Sequence, residues 1–78
     1  MNGLRIFIKP DSRGGENSVF YSHRSHGPIY RWHYEEHLDR WHVARVDALA
    51  ASSKELCAAR WHSVPLGLKA QLNEHYIE

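Results

Sequence analysis

Five of the seven histidines in this 78-residue chain lie between positions 23 and 42: His23, His26, His33, His37 and His42. Histidine changes charge roughly between pH 5 and 8, and it ligates metals and carries protons, so this cluster is where chemistry is most readily sought. Arginines run through the same stretch at Arg24, Arg31 and Arg40, and across the chain they outnumber lysines seven to three. The guanidinium is planar, holds carboxylates and phosphates with paired donors, and stacks on flat rings. The tripeptide Arg-Trp-His occurs at 31–33, 40–42 and 60–62, spacings too uneven for a structural repeat. These residue types suit three tasks: ligating zinc, moving protons at a phosphodiester, or holding an anionic partner.

Which task is open depends on the elements that carry them. Leu4, Ile6 and Ile8 alternate with Arg5 and Lys9, predicting a strand over about 4–9, and Ser18-Val19-Phe20-Tyr21-Ser22 predicts another over about 18–23. Between them Pro10 to Asn17 is turn chemistry. In IYRWHYEEHLDRWHVARV, from Ile29 to Val46, Tyr30, Trp32 and Tyr34 alternate with Arg31 and His33, and Trp41 and Val43 with Arg40 and His42. Strands over 29–35 and 40–46, closed by Glu36-His37-Leu38-Asp39, place Tyr34 opposite Trp41, Trp32 opposite Val43 and His33 opposite His42. One face is then aromatic and the other carries Arg31, His33, Glu35, Arg40 and His42. A single helix over 28–51 is the competing reading, but it scatters Trp32, Val43 and Val46 around its girth, so the hairpin is preferred. Beyond Ala48 the composition turns helical. A capping box at Ser52 and Glu55 and a stripe of Cys57, Trp61 and Val64 predict a helix over about 53–62. Pro65 then opens a second, over about 65–76, with Leu68, Leu72 and Tyr76 as its apolar face. The expected fold is α+β: a meander of about four antiparallel strands with two short helices packed on one face, a single small domain over 1–78.

On that framework each candidate chemistry has a blander rival. His33-Tyr34-Glu35-Glu36-His37 has the H-x-x-E-H spacing of the inverted zincins, which need it on one helix; a strand and turn deny it that. His33 and His42, with His37 or Glu35 as a third ligand, could hold zinc, but Arg31 and Arg40 on the same face oppose a cation, and solvated strand histidines are the simpler reading. Arginine, histidine and aromatics interleaved in this way also suit single-stranded nucleic acid, although the register sends Trp32 and Trp41 to the opposite face, where they serve better as core. Two histidines beside arginines on an open sheet could cleave RNA without metal, His33 and His42 acting as base and acid. In size, and in placing Arg and His on a sheet, the chain resembles the small bacterial ribonuclease toxins, a likeness of architecture that covers no motif.

Composition narrows the rest. A charged fraction of 24% and an apolar fraction of 42% are those of an ordinary globular chain, and a net charge of +1 does not advertise nucleic-acid or membrane binding in bulk. Residues 1–34 nevertheless hold five basic groups against two acids, and residues 35–78 five against seven. The lone Cys57 can form no internal disulfide, no stretch approaches ~20 apolar residues, and no targeting signal is legible, so a cytoplasmic protein is expected. No phosphate-cradling glycine loop, Ser-His-Asp order or other cofactor motif is present, and no cofactor is expected. The sequence therefore favours a small, non-enzymatic binding module: an accessory subunit, regulator or stoichiometric inhibitor. Its partner is expected to be a protein, with nucleic acid as the alternative. The expected binding residues are His23, Arg24, His26, Arg31, His33, Arg40 and His42. The candidate catalytic pair is His33 and His42, and the candidate metal set His33, His37 and His42.

Overall fold

The alternation of apolar and charged residues is realised as strands wherever the chain is described, which in this computed structural model is residues 3–9, 19–46 and 56–77. Within them lie β1 (Leu4–Ile8), β2 (Val19–Arg24), β3 (Ile29–Glu35), β4 (Arg40–Val46), β5 (Cys57–Ala58) and α1 (Leu66–His75), with 3-10 turns at Glu36–Leu38 and Trp61–Ser63. The strands form one sheet in the order β4-β3-β2-β1-β5, every neighbouring pair antiparallel. The hairpin register is the one the alternation requires: Tyr34 faces Trp41, Trp32 faces Val43 and His33 faces His42. A helix across 29–46 is thereby excluded. Asp39 closes the turn in the left-handed region, at φ 48, a conformation that aspartate tolerates better than most residues, and its carboxylate accepts a hydrogen bond from the Tyr34 hydroxyl.

One face of the sheet is the core. Ile6, Phe20, Trp32 and Trp41 point from four successive strands toward Val64, Leu68 and Leu72, and all seven are buried. Trp32 and Trp41 are 1% and 2% exposed, and Phe20 meets Trp41 edge to face at 5.7 Å between centroids. The helix that covers them begins after Pro65, whose carbonyl accepts from the Lys69 amide at 2.9 Å. It buries Leu68 and Leu72, one turn apart, as the apolar spacing requires. Gln71 binds it to the sheet edge: the Trp41 amide donates to Gln71 Oε1 at 2.6 Å, and Gln71 Nε2 donates to the Trp41 carbonyl at 2.8 Å. A single side-chain amide thus caps both outward backbone groups of an edge-strand residue, which otherwise invite pairing with another chain.

The C-terminal half departs from the sequence reading. No helix spans 56–62: Cys57 and Ala58 pair with Ile8 and Phe7, the Ala59 amide donates to the Ile6 carbonyl at 2.8 Å, and Trp61–Ser63 is a 3-10 turn. The remainder of that expected helix, with its capping box at Ser52 and Glu55, lies outside the described residues. Cys57 and Trp61 are exposed rather than part of a buried stripe, and only Val64 of that trio is in the core. The cause is backbone satisfaction. Without β5 the outward amides and carbonyls of β1 would have no strand partner, and tertiary pairing outweighs the helix propensity of alanine-rich sequence. The fold is α+β, mostly β with a C-terminal helix, and has five strands and one α-helix among the described residues in place of four and two.

Candidate functional site

With α1 on one face, strand parity decides what the other face presents. Arg5 and Phe7 come from β1; Val19, Tyr21 and His23 from β2; Ile29, Arg31, His33 and Glu35 from β3; Arg40, His42, Ala44 and Val46 from β4. The registers lay them out in rows. Arg40 faces Glu35. His42, His33 and Val19 form the next row; Ala44, Arg31, Tyr21 and Phe7 the next; Val46, Ile29, His23 and Arg5 the last. Opposed side chains in such rows stand ~5 Å apart, and same-face neighbours along a strand ~6.6 Å.

Arg5, Arg31, His33, Arg40 and His42 are exposed; Phe7, His23, Ile29 and Glu35 are half-buried; Tyr21 is 6% exposed. Glu35 is the one carboxylate on this face among the described residues, against three arginines. It lies with its Oε1 3.7 Å from His42 Nδ1, too far for a direct hydrogen bond. The four exposed cations and imidazoles of β3 and β4 make a continuous track: Arg31, His33, His42, Arg40.

Of the residues the sequence singles out, His23, Arg31, His33, Arg40 and His42 share this face. Two do not join them. Arg24 ends β2 on the helix side, its guanidinium 5.2 Å from the centre of the Tyr76 ring. His26 is exposed in the turn between β2 and β3, at φ 64, beside Gly27, whose amide donates to the Arg24 carbonyl at 2.8 Å. A side chain on Gly27 would start 3.1 Å from that carbonyl, so the turn closes most easily on glycine. His37 stands in the 3-10 turn beyond the strands, and no group of three or more His, Cys, Asp or Glu side chains converges to hold a metal ion among the described residues. The H-x-x-E-H stretch runs from β3 into that turn, so its residues do not share a helix.

Sequence reasoning missed Arg5 as a member of this face, because its place depends on the β1–β2 register, in which Arg5 faces His23. It also missed a polar and aromatic cluster under the helix C-terminus. Trp32 Nε1 donates to Ser22 Oγ at 2.8 Å, and the Ser22 and Tyr76 hydroxyls share a hydrogen bond of 2.7 Å. His75 packs edge to face on Tyr30 and Trp32, at 4.4 and 5.3 Å between centroids. This cluster is structural: Ser22 is fully buried and saturates the only polar atom of Trp32.

Burial pushes the Tyr76 phenol above its ordinary value; its hydrogen bond to Ser22 pulls the other way, Tyr30 adds to the rise and Arg24 opposes it. A phenol whose folded value is raised contributes stability that is complete below about pH 10 and is lost as pH climbs through the folded value, because the unfolded chain releases its proton first. Urea midpoints measured at about pH 8.5 and 11 should therefore fall further in the wild type than in Tyr76→Phe, which starts lower for want of the Ser22 bond but has no phenol to ionise. Equal falls in the two proteins would remove Tyr76 from the account.

No helix among the described residues is long and apolar enough to cross a membrane. Comparison with known protein families, with curated proteins and with solved structures yields no match.

Proposed function

We propose that this chain is a non-enzymatic binding module that holds an anionic macromolecular partner on the sheet face opposite α1. The observation that supports this most directly is that Arg5, Arg31, Arg40, His33 and His42 are all exposed on this one face, where Glu35 is the one carboxylate among the described residues. A face with three arginines and one carboxylate among the described residues gains most when an anion covers it. The core takes nothing from these five side chains: its buried residues come from the other face, from α1 and from Val64 just before it. As accessory subunit, regulator or inhibitor, the module would work in the cytoplasm, where the exposed Cys57 stays a free thiol. Reversing charge at Arg31 and Arg40 together tests the assignment, because it removes the partner without touching the core.

A second reading, RNA cleavage without metal, is favoured by the placement of Glu35 beside His42 and of His42 opposite His33. One imidazole would take the 2′-hydroxyl proton as that oxygen attacks phosphorus, and the other would protonate the departing 5′-oxygen, leaving a 2′,3′-cyclic phosphate. Incubation of single-stranded RNA with the protein and a chelator separates the two readings. Cyclic-phosphate ends that disappear in His33→Ala establish cleavage, and RNA recovered intact leaves the binding module alone.

A further inference from the structure

We infer that the anionic partner is a single-stranded polynucleotide running diagonally from β4 across β3 to β1, its phosphates on Arg40, Arg31 and Arg5 and its bases against the imidazoles of His33 and His42. The inference rests on the binding-module reading and deepens it by naming the partner class. Three features of the face carry it. The first is what is missing from it. Among the described residues the exposed large hydrophobic ones are Leu38, Trp61, Leu66 and Ile77, and none of them is on this face. Protein interfaces draw their energy from buried aromatic and aliphatic anchors near the centre of the contact. Here the aromatic residues of the face, Phe7 and Tyr21, are half-buried and buried, so they form a floor and offer no anchor. The sequence favours a protein partner; the folded face argues against it.

The second feature is the type of side chain that is exposed. Arg31, His33, Arg40 and His42 are all planar, and bases splayed from a single strand stack on imidazole rings and guanidinium planes as well as on larger aromatics. Each can therefore serve a phosphate through charge or a base through its flat surface. The spacing suits a chain-like ligand: Arg31 to His33 and His42 to Arg40 are same-face steps of ~6.6 Å, joined by the ~5 Å step from His33 to His42. That is a track rather than a pocket.

The third feature is width. A sheet of five strands at ~4.8 Å spacing is ~19 Å across, too wide to enter a DNA major groove of ~12 Å, whereas a single strand can lie flat on it. Three arginine–phosphate contacts, from Arg5, Arg31 and Arg40, at ~0.7 released counterions each predict a slope of about −2 for log affinity against log salt.

The test is fluorescence anisotropy with the intact chain and three probes: a mixed-sequence single-stranded RNA of about twelve nucleotides, the same sequence as a duplex, and polyglutamate of equal length. The RNA strand is expected to bind at least tenfold more tightly than either competitor, with the slope given above. In Arg31→Glu/Arg40→Glu its affinity should fall on the order of a hundredfold and the slope approach −0.7. Arg45→Glu/Arg60→Glu changes the net charge equally, at exposed positions off the face, and should stay within about threefold of the wild type. Polyglutamate or duplex binding as tightly as the single strand would overturn the partner class while leaving an anion-binding module standing. RNA binding that survives Arg31→Glu/Arg40→Glu would put the strand elsewhere on the molecule. A folded protein that binds none of the three would overturn both the partner class and the module.

Discussion

Trp32→Ala should cost the chain about 4–6 kcal/mol of stability at room temperature. Trp32 is 1% exposed at the centre of β3, between Phe20 on β2 and Val43 on β4, and its ring meets His75 from α1. Truncating a buried tryptophan costs about 3–5 kcal/mol in lost transfer energy and cavity formation. The substitution also removes the Nε1 donor from Ser22, which is fully buried, at about 1 kcal/mol more. A chain of 78 residues has on the order of 4–12 kcal/mol to lose, so a loss of about 4–6 kcal/mol removes at least about a third of it and up to the whole. Trp61→Ala gives the control: Trp61 is 40% exposed and covers a shallow hollow beside Leu4, Ile6 and Ala59, so its loss should cost about 1 kcal/mol. Thermal unfolding followed by circular dichroism distinguishes the two. Similar midpoints for the two variants would mean that Trp32 is not the centre of the core.

Arg31→Glu/Arg40→Glu should do the reverse, keeping the fold and losing the partner. Both side chains are exposed, so neither substitution opens a cavity. The one structural penalty is local. Arg40 stands opposite Glu35, and a second carboxylate there sets like charges across the strands at a cost of about 0.2–1 kcal/mol. The electrostatic consequence is much larger: the face goes from three arginines and one carboxylate to one arginine and three carboxylates. An anionic partner is then repelled where it was held, and its affinity should drop on the order of a hundredfold at low salt, less as salt rises. Unchanged binding by a folded double variant would remove this face from the account.

The parts of the fold that were legible in the sequence are those where local pattern and tertiary need agree. Alternation over Ile29–Val46, with a four-residue connection, admits one register that keeps Trp32 and Trp41 on the same face, and the chain adopts it. The helix after Pro65 was legible for the same reason, with Leu68 and Leu72 one turn apart. β5 was not, because two residues have no periodicity; their conformation is set by the edge of β1, which is distant in sequence. Arg24 shows how a one-residue difference in a boundary moves a side chain. The sequence ends the second strand at about 23, but β2 continues to Arg24, and parity then sends Arg24 to the Ser22 side, over Tyr76, away from His23. Arg5 joins the cationic face through the same kind of long-range register, which no local motif records.

The proposal that the sheet face opposite α1 meets the partner is tested most directly by an NMR titration of isotope-labelled protein with single-stranded RNA at low salt. Shifts should be confined to Arg5, Arg31, His33, Arg40, His42 and their strand neighbours and be reversed by added salt, while the indole signals of Trp32 and Trp41 stay quiet beneath α1. Shifts centred instead on Trp61, Leu66 and Ile77, the exposed apolar residues off that face, would contradict it.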